Sequence, residues 1–154
     1  MVIENLYNHP EHVSMVSCWI YDEFVKGKSS WSLEEVYLFF GKTNFRSFPI
    51  TLIAISDERC IGTVSIFEND LKSQNVLKPW LGSLYVSPNY RGKGVAEKLI
   101  NQVKVIVKEL GYEILYLRTE HTSEYYRRLG WEFLFKTLDE KGQETEVYKI
   151  FINK

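Results

Sequence analysis

The chain is short of most things that would declare a class at once. Its two cysteines, Cys18 and Cys60, stand far apart, with no CxxC pair and no neighbouring histidine cluster. That spacing argues against a disulfide framework and a thiolate metal site, and it assigns both thiols to small apolar packing. Four prolines and nine glycines are too few for a low-complexity linker, and no repeat is visible. No apolar run approaches the roughly 20 residues a membrane span needs, and residues 1–12 lack the basic-then-apolar order of a secretory leader. Charge of one sign is missing too: 19 basic against 20 acidic side chains leave a formal net charge of -1. No global field gathers nucleic acid or an anionic membrane, so any anion must be held by a local site. The expected location is the cytoplasm, with neither nucleic acid nor membrane as partner.

What the chain has is apolar and aromatic mass. With 45% hydrophobic residues over 154 positions it can close one core, so a single domain over 1–154 is expected. Residues 2–6 suit a short strand. From Pro10 to about Lys26, Val13, Val16, Ile20 and Phe24 recur at helical spacing, and Gly27 is placed to stop the helix. Ser32 with Glu35 forms a capping box ahead of Val36, Leu38, Phe39 and Phe40, which predicts a second helix.

Strand chemistry follows at 50–55, 61–67 and 81–86. Asp57, Glu58 and Arg59 form a hairpin turn between the first two, which should pair antiparallel. Residues 68–79 make a polar loop long enough to suspect a role at a site. From Val95 to Leu110 one apolar face predicts an amphipathic helix stopped by Gly111. Ile114, Leu115, Tyr116 and Leu117 are apolar without alternation, as in a strand covered on both faces and parallel to the one before the helix. A short helix at 122–129, ended by Gly130, and strands at 131–137 and 146–152 complete the chain.

The most informative stretch is residues 86–96, Val-Ser-Pro-Asn-Tyr-Arg-Gly-Lys-Gly-Val-Ala, which joins a strand to the long helix. A helix start offers unpaired N–H groups and the positive end of the dipole, and glycines let a bulky anion approach the backbone. Arg91 and Lys93 add charge, while the amides of Gly92, Lys93, Gly94, Val95 and Ala96 should set the geometry. A nucleotide P-loop fails here, because Ser87 stands where its first glycine belongs and Gly94 where Ser or Thr should follow the lysine. The dinucleotide fingerprint fails as well, with Glu97 in the place of its third glycine. A tight solvated turn without a ligand is the competing, less favoured reading of the same residues.

The pattern that fits is Arg/Gln-x-x-Gly-x-Gly/Ala, filled by Arg91, Gly94 and Ala96. It resembles the turn of the GCN5-related N-acetyltransferase (GNAT) superfamily that binds the pyrophosphate of acetyl-coenzyme A. About 30 residues on, Tyr125, Tyr126, Gly130 and Trp131 resemble the same superfamily's aromatic-Tyr-x-x-x-Gly-aromatic signature. The likeness spans residues 81–131 by motif, and beyond them it rests on the order of elements alone. An asparagine that many members carry before the second motif is replaced by Thr119 or Glu120.

The resemblance implies an α/β (α+β) GNAT-like fold. Its single mixed sheet would hold about seven strands, antiparallel at the N-terminal end, with a splayed parallel pair around Leu84 to Val86 and Ile114 to Leu117, and about four helices. It implies acetyl-CoA as co-substrate, no metal, and a primary amine of a small molecule or peptide as acceptor, acetylated by direct attack in a ternary complex. Leu84, Tyr85 and Val86 would meet the pantetheine arm, Thr119 and Tyr125 would add cofactor contacts, and Tyr126 would protonate the departing thiolate.

Glu68, Asp70, Glu120 and His121 are candidate bases, although for each a solvated surface charge is the reading the residue type favours. The aromatic-rich first third, Trp19, Tyr21, Phe24, Trp31, Tyr37, Phe39, Phe40, Phe45 and Phe48, is expected to be mostly core, with one or two rings toward the acceptor. A non-catalytic coenzyme A-binding or interaction module, a transferase of another acyl group and a homodimer remain open.

Overall fold

The computed structural model describes residues 1–152 as a mixed α/β chain with one seven-stranded sheet in the order β1-β2-β3-β4-β5-β7-β6, and four α-helices. Its contacts divide into two compact units, 1–66 with 83–103 and 67–82 with 104–154. Strand β4, Trp80–Val86, and helix α3, Val95–Glu109, each contribute residues to both.

In the first unit, β1 (Val2–Asn5), β2 (Ile50–Ser56) and β3 (Arg59–Phe67) pair antiparallel, as expected. The hairpin is tighter than the three residues assigned to it. Arg59 already pairs with Ser56, and the turn is made by Asp57 and Glu58 alone, at φ 51° and 66°. Two consecutive left-handed residues twist the turn the way the flanking strands twist.

The first expected helix is broken into three. A 3-10 turn (Pro10–His12) leads into α1 (Val13–Ile20), and a π-helical turn (Tyr21–Val25) ends it, with the Lys26 N–H donating to Tyr21 O at 2.7 Å. Val13, Val16 and Ile20 are buried on one face. The extra residue in the π turn carries Phe24 off that face, leaving it 43% exposed. Helix α2 (Leu33–Gly41) begins with the predicted box: the Glu35 N–H donates to Ser32 Oγ at 3.1 Å, and the Ser32 N–H donates to Glu35 Oε1 at 3.0 Å.

Leu6, Val13, Val16, Ile20, Val36, Phe40, Ile53 and Cys60 form the buried cluster of this unit. One expectation fails here. Cys18 is exposed, and only Cys60 is a buried filler, its thiol pushed up to about 11 by burial. The aromatic first third divides: Phe40 is buried and Trp19, Tyr21 and Phe39 pack against this cluster partly buried, whereas Phe24, Trp31, Tyr37 and Phe45 are exposed. On a helix as short as α2 the buried face is the single pair Val36 and Phe40, four residues apart, so Tyr37 and Leu38 fall outside it.

In the second unit, β5 (Ile114–Thr119) runs parallel to β4, with Trp80 opposite Tyr116. It pairs antiparallel with β7 (Glu144–Phe151), which also pairs antiparallel with β6 (Glu132–Leu138). The parallel register falls at the beginning of β4, and Ser83 takes a left-handed φ of 52°. Strand β5 is not covered equally on both faces: Leu115, Leu117 and Thr119 are buried, while Ile114, Tyr116 and Arg118 keep partial exposure. Helix α4 (Ser123–Arg128) precedes β6. Leu71, Trp80 and Val147 are buried together, with Phe67, Leu77 and Tyr116 against them. Among the described residues, no helix is long and apolar enough to cross a membrane.

Candidate active site

The turn between β4 and α3 is anchored at its start by the Ser87 N–H, which donates to Ile61 O at 2.8 Å, and by a 3-10 turn at Pro88–Tyr90. Gly92 and Gly94 follow at φ 74° and 82°, a region other residues enter at a cost of about 1–2 kcal/mol. A Cβ on either glycine would meet nothing within 4 Å, so the backbone there borders open space. The first N–H groups of α3 lack intrahelical acceptors, as at any helix start, and the dipole turns its positive end toward them. A phosphate-sized anion fits this donor set.

Arg91 and Lys93 are exposed, and each is held by an aromatic neighbour. Arg91 Nε donates to Val86 O at 2.8 Å, and its guanidinium lies 5.3 Å from the centroid of Tyr85, whose ring is 5.3 Å from that of Trp19. Lys93 Nζ sits 5.7 Å from the Tyr90 ring. Leu84, Tyr85 and Val86 are half-buried, and part of the Val86 carbonyl's accepting capacity is already taken by Arg91.

Tyr126 lies on α4 with 9% of its surface exposed. Its ring is 5.3 Å from Tyr125 and 6.0 Å from Trp131, both near edge-on. The Trp131 N–H donates to Tyr126 O at 3.1 Å, so the helix and the start of β6 fix the ring jointly. Burial, with a smaller contribution from Tyr125, pushes the Tyr126 phenol up to about 12, and it stays protonated at any physiological pH. Among the described residues, Trp131 Nε1 is buried without a hydrogen-bond partner. Ahead of the helix, the Thr119 hydroxyl accepts from the Thr122 N–H at 3.0 Å and lies 2.7 Å from the Thr122 hydroxyl, so Thr119 acts as a local cap.

The four candidate bases separate clearly. Glu68 is exposed and pairs with Lys78 at 3.8 Å. Glu120 is exposed and accepts from the Thr145 hydroxyl at 2.9 Å. His121 is exposed at the approach to α4. Asp70 is the half-buried one, with 29% of its side-chain surface exposed. Its Oδ2 lies 3.6 Å from Arg118 Nε, and a Cβ on Gly82 would come within 3.4 Å of the same oxygen and 2.8 Å of Phe67, so only glycine lets the loop pack this closely on β4. Burial raises the Asp70 carboxyl to about 6; Arg118 opposes that shift, and Glu120 and Glu140 reinforce it.

Arg118 is the residue sequence reasoning missed. Its guanidinium also faces Asp139 at 3.7 Å, and the Lys72 N–H donates to Glu140 Oε1 at 2.9 Å, tying the 68–79 loop to the turn between β6 and β7. A basic side chain in the otherwise apolar run of β5 was the available signal.

Three comparisons bear on this arrangement. Residues 85 in number align at 31% identity with N-alpha-acetyltransferase 30 of Schizosaccharomyces pombe (strain 972 / ATCC 24843), covering 53% of this chain. The aligned stretch spans 56% of that relative, little more than half its length. The fold superposes on an aminoglycoside 6'-N-acetyltransferase complexed with coenzyme A, with a TM-score of 0.78 at 17% identity over 100% of this chain and 98% of that one. It also superposes on the aminoglycoside 6'-N-acetyltransferase from Enterococcus faecium, with a TM-score of 0.76 at 17% identity over 100% and 98%. The family model described as acetyltransferase (GNAT) family matches residues 7–131, a stretch that takes in the glycine turn, Asp70 and the Tyr126 helix together, and by that match the chain belongs to the GNAT acetyltransferase family.

Proposed function

We propose that the protein transfers the acetyl group of acetyl-CoA to a primary amine of a small molecule or peptide by direct attack in a ternary complex. The observation that carries this reading is the turn before α3, where two left-handed glycines border open space beside a helix start. The amides of residues 92–96 hold the diphosphate, Arg91 adds charge from its place on Tyr85, and the strand segment Leu84, Tyr85 and Val86 offers backbone groups to the pantetheine arm. Thr119 and Tyr125 are assigned further cofactor contacts. The names of the relatives, an N-alpha-acetyltransferase and aminoglycoside N-acetyltransferases, support an amine acceptor without choosing between a peptide terminus and a small molecule.

The chemistry needs a neutral amine and a way to discharge sulfur. Asp70, a carboxylate with its pKa raised to about 6, takes the proton of the ammonium form directly or through water. The amine nitrogen then bonds to the thioester carbon, the C–S bond breaks, and the Tyr126 hydroxyl, protonated up to about 12, donates its proton to the thiolate; the second proton lost by the nitrogen as the amide forms restores the Tyr126 phenol directly or through water. Glu68, Glu120 and His121 are less suited to the base role, because all three are exposed.

A screen of diverse amines for release of free thiol from acetyl-CoA tests the reading. It predicts amine-dependent coenzyme A release with at least one primary-amine class; thiol release with none of them, from protein shown to bind acetyl-CoA, would favour a non-catalytic module.

A further inference from the structure

His9, Glu11 and His12, none of which has a part in the proposed chemistry, converge at the entrance to α1. One ligand atom from each, two imidazole nitrogens and a carboxylate oxygen, lies within 4.8 Å of the other two. His9 Nδ1 is 3.3 Å from Glu11 Oε2, and the two imidazole centroids are 6.1 Å apart. We propose that these three side chains form a binding site for a divalent late first-row metal, of which Zn2+ is the natural probe.

The backbone explains why the three meet. In a 3-10 turn side chains three residues apart stand one above the other, and His9 and His12 bracket the Pro10–His12 turn at that spacing. Pro10 fixes the first helical φ, and the His12 N–H donates to His9 O at 3.0 Å. The segment is pinned on both sides. Leu6 and Val13 are buried in the core, the His9 N–H donates to Leu6 O at 2.9 Å, and Asn5 Oδ1 accepts from the Tyr7 N–H at 2.9 Å. The backbone that carries the three ligands is therefore held by the fold, and only the side chains, with Glu11 62% exposed, are left for the metal to order.

The donor set selects the metal class. Two imidazoles and one carboxylate suit zinc, nickel or copper, and leave a fourth position for water. Magnesium and calcium, which prefer all-oxygen shells, are disfavoured. Because metal and protons compete for the same ligands, binding weakens on acidification.

The test is calorimetric titration of ZnCl2 into the full chain after treatment with chelator, beside His9→Ala, His12→Ala, Glu11→Gln and Cys18→Ser. One zinc per chain at micromolar affinity is expected, weakened at least tenfold by either histidine substitution and unchanged by Cys18→Ser, which controls for the exposed thiol. Zinc should also raise the melting temperature of the parent and not that of His9→Ala. Absence of saturable binding, or equal binding by the parent and both histidine variants, overturns the proposal. Neither readout depends on acetyl transfer.

Discussion

The guanidinium of Arg91 lies 5.3 Å from the centroid of the Tyr85 ring, while Arg91 Nε donates to Val86 O at 2.8 Å. Trp19 of α1 supports the Tyr85 ring in turn, at 5.3 Å. The arginine is thereby held in place before any anion arrives, which reduces the ordering that binding would require. A cation over an exposed aromatic ring is worth about 0.5–1 kcal/mol, a factor of roughly two to five. Tyr85→Leu should raise the KM for acetyl-CoA by that factor with kcat little changed, and Tyr85→Phe should restore the parent value in steady-state kinetics.

Tyr126→Phe removes the hydroxyl while keeping the ring between Tyr125 and Trp131. General acid catalysis typically contributes about 10²–10⁴ in rate. The variant should lose kcat on that scale and keep its affinity for coenzyme A in calorimetry. An unchanged kcat at saturating substrates removes Tyr126 from the role of acid.

Asp70 should leave its mark on the pH dependence. Its folded-state pKa is raised from 3.8 to about 6, so the fold favours the neutral acid. That stabilising preference is fully present below pH 3.8 and is lost as pH rises through about 6. Catalysis needs the opposite form, so kcat/KM should climb about tenfold per pH unit below 6 and then level. Asp70→Asn should abolish this limb and lower kcat/KM by about 10²-fold or more. Retention of the limb in Asp70→Asn would assign the base elsewhere.

The capping box of α2 is a test of the fold independent of chemistry. Ser32→Ala leaves the Glu35 N–H without its side-chain acceptor and should cost about 1 kcal/mol, or roughly 2–4 °C in melting temperature for a chain of this size. Differential scanning calorimetry reads the shift, and activity should be unaffected below the melting transition.

Local chemistry was what the sequence displayed best. The Ser32 and Glu35 cap, the antiparallel hairpin, the stripe of α3 and the glycine turn depend on neighbours a few residues apart, and all are where their spacing put them. What depends on distant partners was hidden. The partial burial of Asp70 involves Gly82 and Arg118, 12 and 48 positions away, so nothing near it distinguished it from Glu68. The exposure of Phe24 follows from a π turn that helical periodicity does not encode, because one added residue rotates everything after it. The outward rings of Trp31 and Tyr37 follow from the narrow buried face of α2.

The most direct test of the account is calorimetric titration of coenzyme A into the parent, Gly92→Val and Gly94→Val. Both positions hold left-handed φ values that a β-branched side chain resists, and a Cβ added at either meets no neighbour within 4 Å, so the strain falls on the backbone of the turn. Saturable binding to the parent, weakened at least roughly tenfold in each variant with the circular dichroism spectrum unchanged, is the predicted result. Equal binding by all three proteins, or none by the parent, would contradict it.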